Sequence, residues 1–82
     1  LVMMKMGKTL EVGNKFVYPV FECFQGFEVI GLNEGGVTFS ATFFAVENDG
    51  SKTFYAPVQH TWRIDNFVKM LEDKGAICVN EY

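Results

Sequence analysis

The longest run of strand-forming residues in this sequence is the segment 37–46, VTFSATFFAV. Its β-branched and aromatic residues favour a β-strand, and turn-forming residues close it at both ends, NEGG at 33–36 and NDG at 48–50. The pattern therefore predicts a central strand with a hairpin partner on each side. The predicted unit is a three-stranded meander over 27–32, 37–46 and 51–58.

The side chains of segment 37–46 alternate between the two faces of the predicted sheet. One face is apolar throughout and is expected to meet the core: Val37, Phe39, Ala41, Phe43 and Ala45. The other face begins with three polar residues and becomes apolar at its far end: Thr38, Ser40, Thr42, Phe44 and Val46. Either another part of the protein covers that apolar end, or a β-bulge near Phe43 and Phe44 redirects the side chains.

The turn at Asp49-Gly50 predicts a two-residue type I′ hairpin loop, in which both central residues take positive φ. This loop sets Glu47 opposite Lys52, a pair of opposite charges. The same register gives three further pairs: Ala45 with Phe54, Phe43 with Ala56, and Ala41 with Val58. Pro57 has no N–H, so this strand is expected to be an edge or to end its ladder there.

The strand 27–32 is the predicted partner on the other side of the central strand. A four-residue loop at 33–36 sets Leu32 opposite Val37 and Ile30 opposite Phe39, both on the core face. The same register sets Glu28 opposite Ala41, where its carboxylate is expected at the sheet margin or in an ion pair.

The first third of the chain gives weaker signals. Residues 8–12 alternate polar and apolar and predict a short strand, followed by a turn at Gly13-Asn14. Residues 16–18 predict a strand that Pro19 interrupts. Residues 20–24 predict another strand that turns at Gln25-Gly26, and a short helix over 20–25 is the alternative, because a short apolar run does not distinguish the two.

A helical period appears near the C-terminus, where Ile64, Phe67, Val68 and Leu71 fall at positions i, i+3, i+4 and i+7. The spacing predicts an amphipathic helix over about 62–74. Its N-cap is expected at Thr61 or Asp65, and Gly75 stands where a helix C-terminal glycine belongs. Residues 76–80 predict a last strand.

These elements predict an α+β fold. The expected architecture is a curved, mostly antiparallel sheet of about five strands, packed by one C-terminal helix and followed by a short strand. A small, partly open β-barrel with one helix is the alternative. Residues 1–82 are expected to form a single domain, with residues 1–7 either disordered or a vector-derived extension.

Composition adds an expectation about assembly. The chain has 82 residues, of which 49% are hydrophobic and 16% aromatic, including nine Phe. A chain of this size buries only about 60% of the surface that its unfolded form exposes. We therefore expect a homodimer, in which a second copy shields the surplus apolar surface. The alternative is a monomer that leaves some aromatic side chains exposed, since apolar surface is normal in monomers.

Charge and cysteine content argue against several function classes, nucleic-acid binding among them. Seven Lys and Arg against ten Asp and Glu give a net charge of −3, without the basic stripe that nucleic-acid binding requires. Cys23 and Cys78 lie far apart and the chain has one His, so no zinc pattern is present. Both cysteines are expected to be free thiols in a reducing cytoplasm, and a disulfide between them is the alternative. The apolar segment 1–6 is too short for a signal peptide or a membrane span. No cofactor is predicted.

The densest group of candidate site residues is His60, Trp62 and Arg63, which are the only His, Trp and Arg of the chain. An imidazole, an indole and a guanidinium at a strand-to-helix junction are suited to binding an anion or an aromatic ligand. A pocket between sheet and helix is expected to be lined by these residues together with Tyr18, Phe39 and Tyr55. The structural alternative is that Trp62 fills the gap between sheet and helix, His60 bonds to backbone, and Arg63 pairs with Asp65 or Glu72.

A second candidate is a surface formed by Phe44, Val46 and Tyr55 on the face opposite the predicted core. Exposed aromatic residues on an open sheet face are suited to protein association. The sequence therefore favours a non-enzymatic interaction module that forms a homodimer and binds another protein. The alternatives are a protein that binds a small apolar or anionic ligand and, third, an enzyme that uses His60. Cys23 with His60 is the one conceivable nucleophile pair, and the apolar setting of Cys23 argues against it.

Overall fold

The computed structural model describes residues 9–82, which form six β-strands and one α-helix. The predicted α+β class, with a mostly antiparallel sheet and one C-terminal helix, is confirmed, and the sheet is open rather than closed into a barrel. The elements in chain order are β1 Lys15–Val20, β2 Cys23–Asn33, β3 Gly36–Val46, β4 Lys52–Phe54, β5 Val58–Arg63, α1 Ile64–Lys74 and β6 Ile77–Val79. The expectation for residues 1–7 lies outside the described part of the chain.

The sheet is built outward from β3. Strand β2 pairs with one side of β3, followed by β1 and then β6 at the far edge. Strands β4 and β5 pair one after the other along the opposite side of β3, and every pairing is antiparallel. The predicted central meander is therefore present, with its third strand divided in two. Within residues 9–82, no helix is long and apolar enough to cross a bilayer.

The hairpin between β2 and β3 follows the predicted register only near its turn. Leu32 lies opposite Val37 as predicted, and Asn33 pairs with Gly36, so that the turn is two residues long with Gly35 at φ +73°. A β-bulge at Ile30 then shifts the ladder by one residue, and Val29 faces Phe39 instead.

Because of the bulge, two predicted cross-strand pairs do not form. The predicted pair of Ile30 with Phe39 is wrong, and the Ile30 side chain is exposed. Glu28 lies opposite Ser40 rather than Ala41, and its carboxylate is 3.9 Å from the Lys15 ammonium, so the carboxylate is paired. Gly31, next to the bulge, is the sequence feature that fits it, since a glycine inside a strand often marks a bulge.

The second hairpin turns through three residues instead of two. The Gly50 N–H donates to Glu47 O at 2.9 Å and the Glu47 N–H donates to Ser51 O at 2.7 Å, while Gly50 alone in the loop has positive φ. This is a type I turn followed by a glycine bulge. Asp49 keeps negative φ because its carboxylate accepts the Ser51 N–H at 2.9 Å.

The longer loop moves the following strand by one residue. The predicted pairs of Glu47 with Lys52, Ala45 with Phe54 and Phe43 with Ala56 are wrong. Val46 faces Lys52 and Phe44 faces Phe54. Residues 55–57 then add one extra residue, so that Ala41 faces Val58 as predicted.

The first hairpin differs from its prediction. Strand β1 continues through Pro19, and Val20 pairs with Cys23 across a turn at Phe21-Glu22, so neither the turn at Gln25-Gly26 nor the short helix over 20–25 forms. Pro19 is tolerated because its nitrogen lies on the outer side of β1, beyond the last pairing with β6 at Val17. Residues 10–12 lead into the Gly13 turn without forming the predicted strand, and Lys8 lies outside the described residues.

The helix begins two residues later than predicted, because Trp62 and Arg63 belong to β5. Arg63 is the N-cap residue, so neither Thr61 nor Asp65 takes that role; the Asp65 carboxylate instead accepts the Asn66 N–H at 2.9 Å. Gly75 ends the helix in the left-handed conformation at φ 68°, as predicted.

The core lies between α1 and one face of the sheet, which we call the helix-covered face. Phe67 and Leu71 of the helix are fully buried against sheet residues. The sheet contributes Phe16, Phe27, Val29, Val37 and Phe39. The core prediction for Val37 and Phe39 is confirmed, whereas Phe43 is 43% exposed because the helix does not extend over that end of β3.

Backbone strain at the first turn gives a testable prediction. Phe21 is fully exposed and has φ 55°, a conformation that costs an L residue about 1–2 kcal/mol. Asn accepts this conformation more readily, so Phe21→Asn is expected to raise the free energy of unfolding by about 1 kcal/mol in urea titration. Phe21→Ala is the control, because it removes the ring and keeps the strain. An equal gain in both variants would show that the ring, not the backbone, is the source.

Candidate functional site

An aromatic row crosses four strands on the helix-covered face. Tyr18 of β1 stacks on Phe27 of β2 with ring centroids 6.0 Å apart, and Phe27 meets Phe39 of β3 edge-on at 6.0 Å. On the other side, Phe39 contacts Trp62 at 5.2 Å and His60 at 5.4 Å, both from β5. The row forms because the antiparallel registers place these residues on one face of neighbouring strands.

A cavity of about 180 Å³ opens beside this row, which we call the Ala41 cavity. Ala41 lies between Phe27 and Val58 in the sheet, and its methyl group leaves the space that a larger side chain would fill. The C-terminal half of α1 closes one side. The cavity is lined by Gln25, Phe27, Phe39, Ala41, His60, Trp62, Met70 and Lys74.

Three polar groups stand at the Ala41 cavity. The Tyr18 hydroxyl donates to Gln25 Oε1 at 2.6 Å, which leaves the Gln25 amide nitrogen as a donor for another partner. The Lys74 ammonium lies 4.8 Å from the centre of the Tyr18 ring. The lining contains His60 but no Asp or Glu from the described part of the chain, although the chain is acidic overall.

Four of the six predicted ligand-binding residues come together here. Phe39, His60 and Trp62 line the cavity. Tyr18 lies at its edge, where its hydroxyl contacts Gln25 and its ring contacts Lys74, two residues of the lining. Sequence reasoning missed Gln25, Ala41, Met70 and Lys74. A correct register for β1 and β2, which sets Tyr18 opposite Gln25, would have identified the first.

Arg63 and Tyr55 do not join this site. Arg63 lies on the opposite face of β5, where its Nε is 3.4 Å from the Asp65 carboxylate, as the structural alternative predicted. It lines a separate shallow groove beside the exposed side of α1. Tyr55 lies in the irregular segment after β4 and is exposed, with its N–H donating to Phe43 O at 2.9 Å.

The opposite face of the sheet is covered at its far end by the chain itself. Phe44 is only 3% exposed, because the rings of Phe24, Phe54 and Tyr82 surround it with centroids 5.4, 5.1 and 5.6 Å away. The expected exposure of Phe44 at an interface is therefore wrong. Val46 and Tyr55, the other two residues of that predicted surface, are exposed.

Tyr82 fits against this face because Gly26 has no side chain. A Cβ atom at Gly26 would lie 2.5 Å from Tyr82 Cε1. The Tyr82 hydroxyl is buried and has no hydrogen-bond partner among residues 9–82. Burial and, to a lesser extent, the nearby Glu28 carboxylate raise the pKa of Tyr82 well above its ordinary value.

A long exposed segment forms the other edge of the sheet. Every residue from 46 to 63 is exposed, and we call this segment the arm. It carries five large apolar side chains: Val46, Phe54, Tyr55, Val58 and Trp62. The Ile64 N–H donates to Gly35 O at 3.0 Å, and the alternation of antiparallel bonding then turns the N–H and C=O groups of Gln59 and Thr61 away from β3.

The described residues offer little for covalent or metal chemistry. No group of three potential metal ligands occurs among residues 9–82, and Cys23 and Cys78 are both free thiols. Cys23 lies level with Ala45 and His60 level with Phe39, which places them about 20 Å apart along β3. Comparisons of the chain with protein-family models, with curated proteins and with solved structures find no match.

The buried Tyr82 hydroxyl gives a prediction for the alkaline range. In the unfolded chain a tyrosine ionises near pH 10, whereas the folded protein holds the Tyr82 proton to higher pH. This group therefore leaves the free energy of unfolding unchanged below pH 10 and lowers it as the pH rises above 10, because the unfolded chain ionises there and the folded chain does not. Tyr82→Phe is expected to match or exceed the parent by up to about 1 kcal/mol at pH 7 and to lose less stability above pH 10.

Urea unfolding of both proteins at pH 7, 9, 10 and 10.5 measures this difference. Tyr18 and Tyr55 are present in both proteins, so their contributions cancel in the comparison. Parallel stability curves across the whole range would contradict the burial of the Tyr82 hydroxyl.

Proposed function

We propose that this chain is a non-enzymatic protein-interaction module that forms a homodimer through the arm, with β5 at the centre of the interface. The observation that supports the proposal is the exposure of the whole arm, residues 46–63, together with the large apolar side chains that it carries. Exposed aromatic residues concentrated on one surface are typical of protein interfaces.

The edge of β5 provides the backbone groups for association. Soluble proteins usually protect such an edge with charged residues, proline or a bulge. Strand β5 has six residues, VQHTWR, with its only charge at the last position. The outward N–H and C=O groups of Gln59 and Thr61 are therefore available to pair with another strand.

A second copy of the same strand is a suitable partner. When two β5 strands pair antiparallel about their centres, the helix-covered faces of both copies lie on the same side of one continuous sheet. Arg63 then lies toward the far end of the partner strand, so the two guanidinium groups do not meet. The arm is also close in size to one side of a typical stable interface. Such a side has 20–30 residues and buries on the order of 800 Å².

The distribution of phenylalanine supports the same proposal. Of the nine Phe in the chain, the single copy exposes Phe21, Phe43 and Phe54. Phe54 lies in the arm itself, and Phe43 lies on β3 beside it. A partner seated along this edge would lie against the Phe54 ring, whereas Phe43 lies on the helix-covered face and stays exposed.

A proline in the edge tests the proposal. Gln59→Pro removes an N–H that points away from β3, so we expect the pairing of β5 with β3 to survive and the dimer to dissociate. Gln59→Ala is the matched control, because it removes the side chain and keeps the N–H. Light scattering after size exclusion should give twice 9.3 kDa for the parent and for Gln59→Ala at high micromolar concentration, and a mass near 9.3 kDa for Gln59→Pro.

Thermal unfolding of Gln59→Pro at low micromolar concentration verifies that the variant is folded. A parent that stays at the monomer mass up to about 1 mM would overturn the proposal. A folded Gln59→Pro that remains a dimer would show that the interface lies elsewhere.

A further inference from the structure

We infer that the Ala41 cavity binds a small ligand with one aromatic ring and one carboxylate. This inference is independent of the proposed dimer, because the cavity opens on the helix-covered face and not at the outer edge of β5. Pairing of two β5 edges would extend the sheet in its own plane and leave that face open.

The volume of the cavity suits a ligand part of about one ring. The cavity holds about 180 Å³. An apolar cavity of about 150 Å³ is large enough to hold benzene. A single six-membered ring with one short polar substituent therefore fits, whereas pockets for drug-sized ligands are about 300–1,000 Å³.

The walls of the cavity select an aromatic ring. Phe27 and Phe39 are buried, and Trp62 meets Phe39 edge-on at an interplanar angle of 84°. His60 lies beside the rings of Phe39 and Trp62. Faces and edges of several rings around one space favour a further ring in offset or edge-on contact. Ala41 leaves that space open within the row.

The polar groups select a negative charge. Lys74 supplies a cation, and the Gln25 amide nitrogen supplies a neutral donor because its Oε1 already accepts the Tyr18 hydroxyl. Among residues 9–82, no Asp or Glu lines the cavity, in a chain with ten of them. A ligand carboxylate would therefore meet donors without meeting a like charge.

Trp62, the only tryptophan of the chain, reports binding directly through its fluorescence. The probes are benzoate, its uncharged isostere benzamide, and hexanoate, which carries the charge without a ring. The parent is expected to show saturable binding of benzoate at millimolar or lower concentration. Benzamide and hexanoate are each expected to bind at least fivefold more weakly.

Two variants separate the charge from the cavity. Lys74→Gln is expected to weaken benzoate binding at least fivefold and to leave benzamide binding unchanged, while Lys69→Gln, on the exposed side of the same helix, changes neither. Ala41→Leu fills the cavity and is expected to weaken both ring ligands at least tenfold. Gln59→Pro is expected to bind benzoate like the parent, which keeps this result separate from that of the dimer.

Chemical shifts of the Gln25 side-chain amide, followed by NMR, provide a second measurement of each titration. If Ala41→Leu unfolds the protein, the smaller substitution Ala41→Val replaces it.

Three results would overturn the inference. These are the absence of saturable benzoate binding up to about 20 mM, equal affinity for benzoate and benzamide in the parent, or full benzoate binding by a folded variant with a filled cavity.

Discussion

One short helix has to cover a much longer sheet, and the rest of the structure follows from this mismatch. Helix α1 has eleven residues and is about 16 Å long, whereas β2 and β3 have eleven residues each and are about 36 Å long. The helix therefore buries only one half of the sheet, around Phe39 and Phe67. The principal extents of 41 × 24 × 20 Å reflect this elongated sheet.

The half of the sheet that α1 leaves uncovered has three different environments. On the opposite face, Tyr82 packs over Gly26 and encloses Phe44, so that this side chain is buried without the helix. On the helix-covered face, the last turn of α1 and the methyl group of Ala41 leave a cavity lined by aromatic rings. At the edge, the arm stays exposed, which is why the proposed interface lies there and not on the face that holds Phe44.

Periodicity and turn residues predicted the elements well, and the registers less well. The stripe from Ile64 to Leu71 and the glycine at 75 were sufficient to identify the helix, and the run around Phe39 was sufficient to identify β3. Asp49-Gly50 was misleading because this pair fits a two-residue loop and a three-residue loop equally, and the Asp49 carboxylate decides between them. Phe21 gave no turn signal, because an aromatic residue rarely adopts positive φ. The candidate site was predicted in part: His60 and Trp62 stood out by their chemistry, whereas Gln25 and Lys74 become significant only when the strands and the helix are in place.

In the proposed dimer, a second copy paired along β5 shields surplus apolar surface of this small chain. Amide hydrogen exchange at Gln59 and Thr61, measured over a range of protein concentrations, tests it most directly, since these N–H groups point away from β3. If the dimer forms, these two amides exchange fast in dilute solution and slowly at high micromolar concentration, while amides of β3 change little. Fast exchange at Gln59 and Thr61 at every concentration would contradict it.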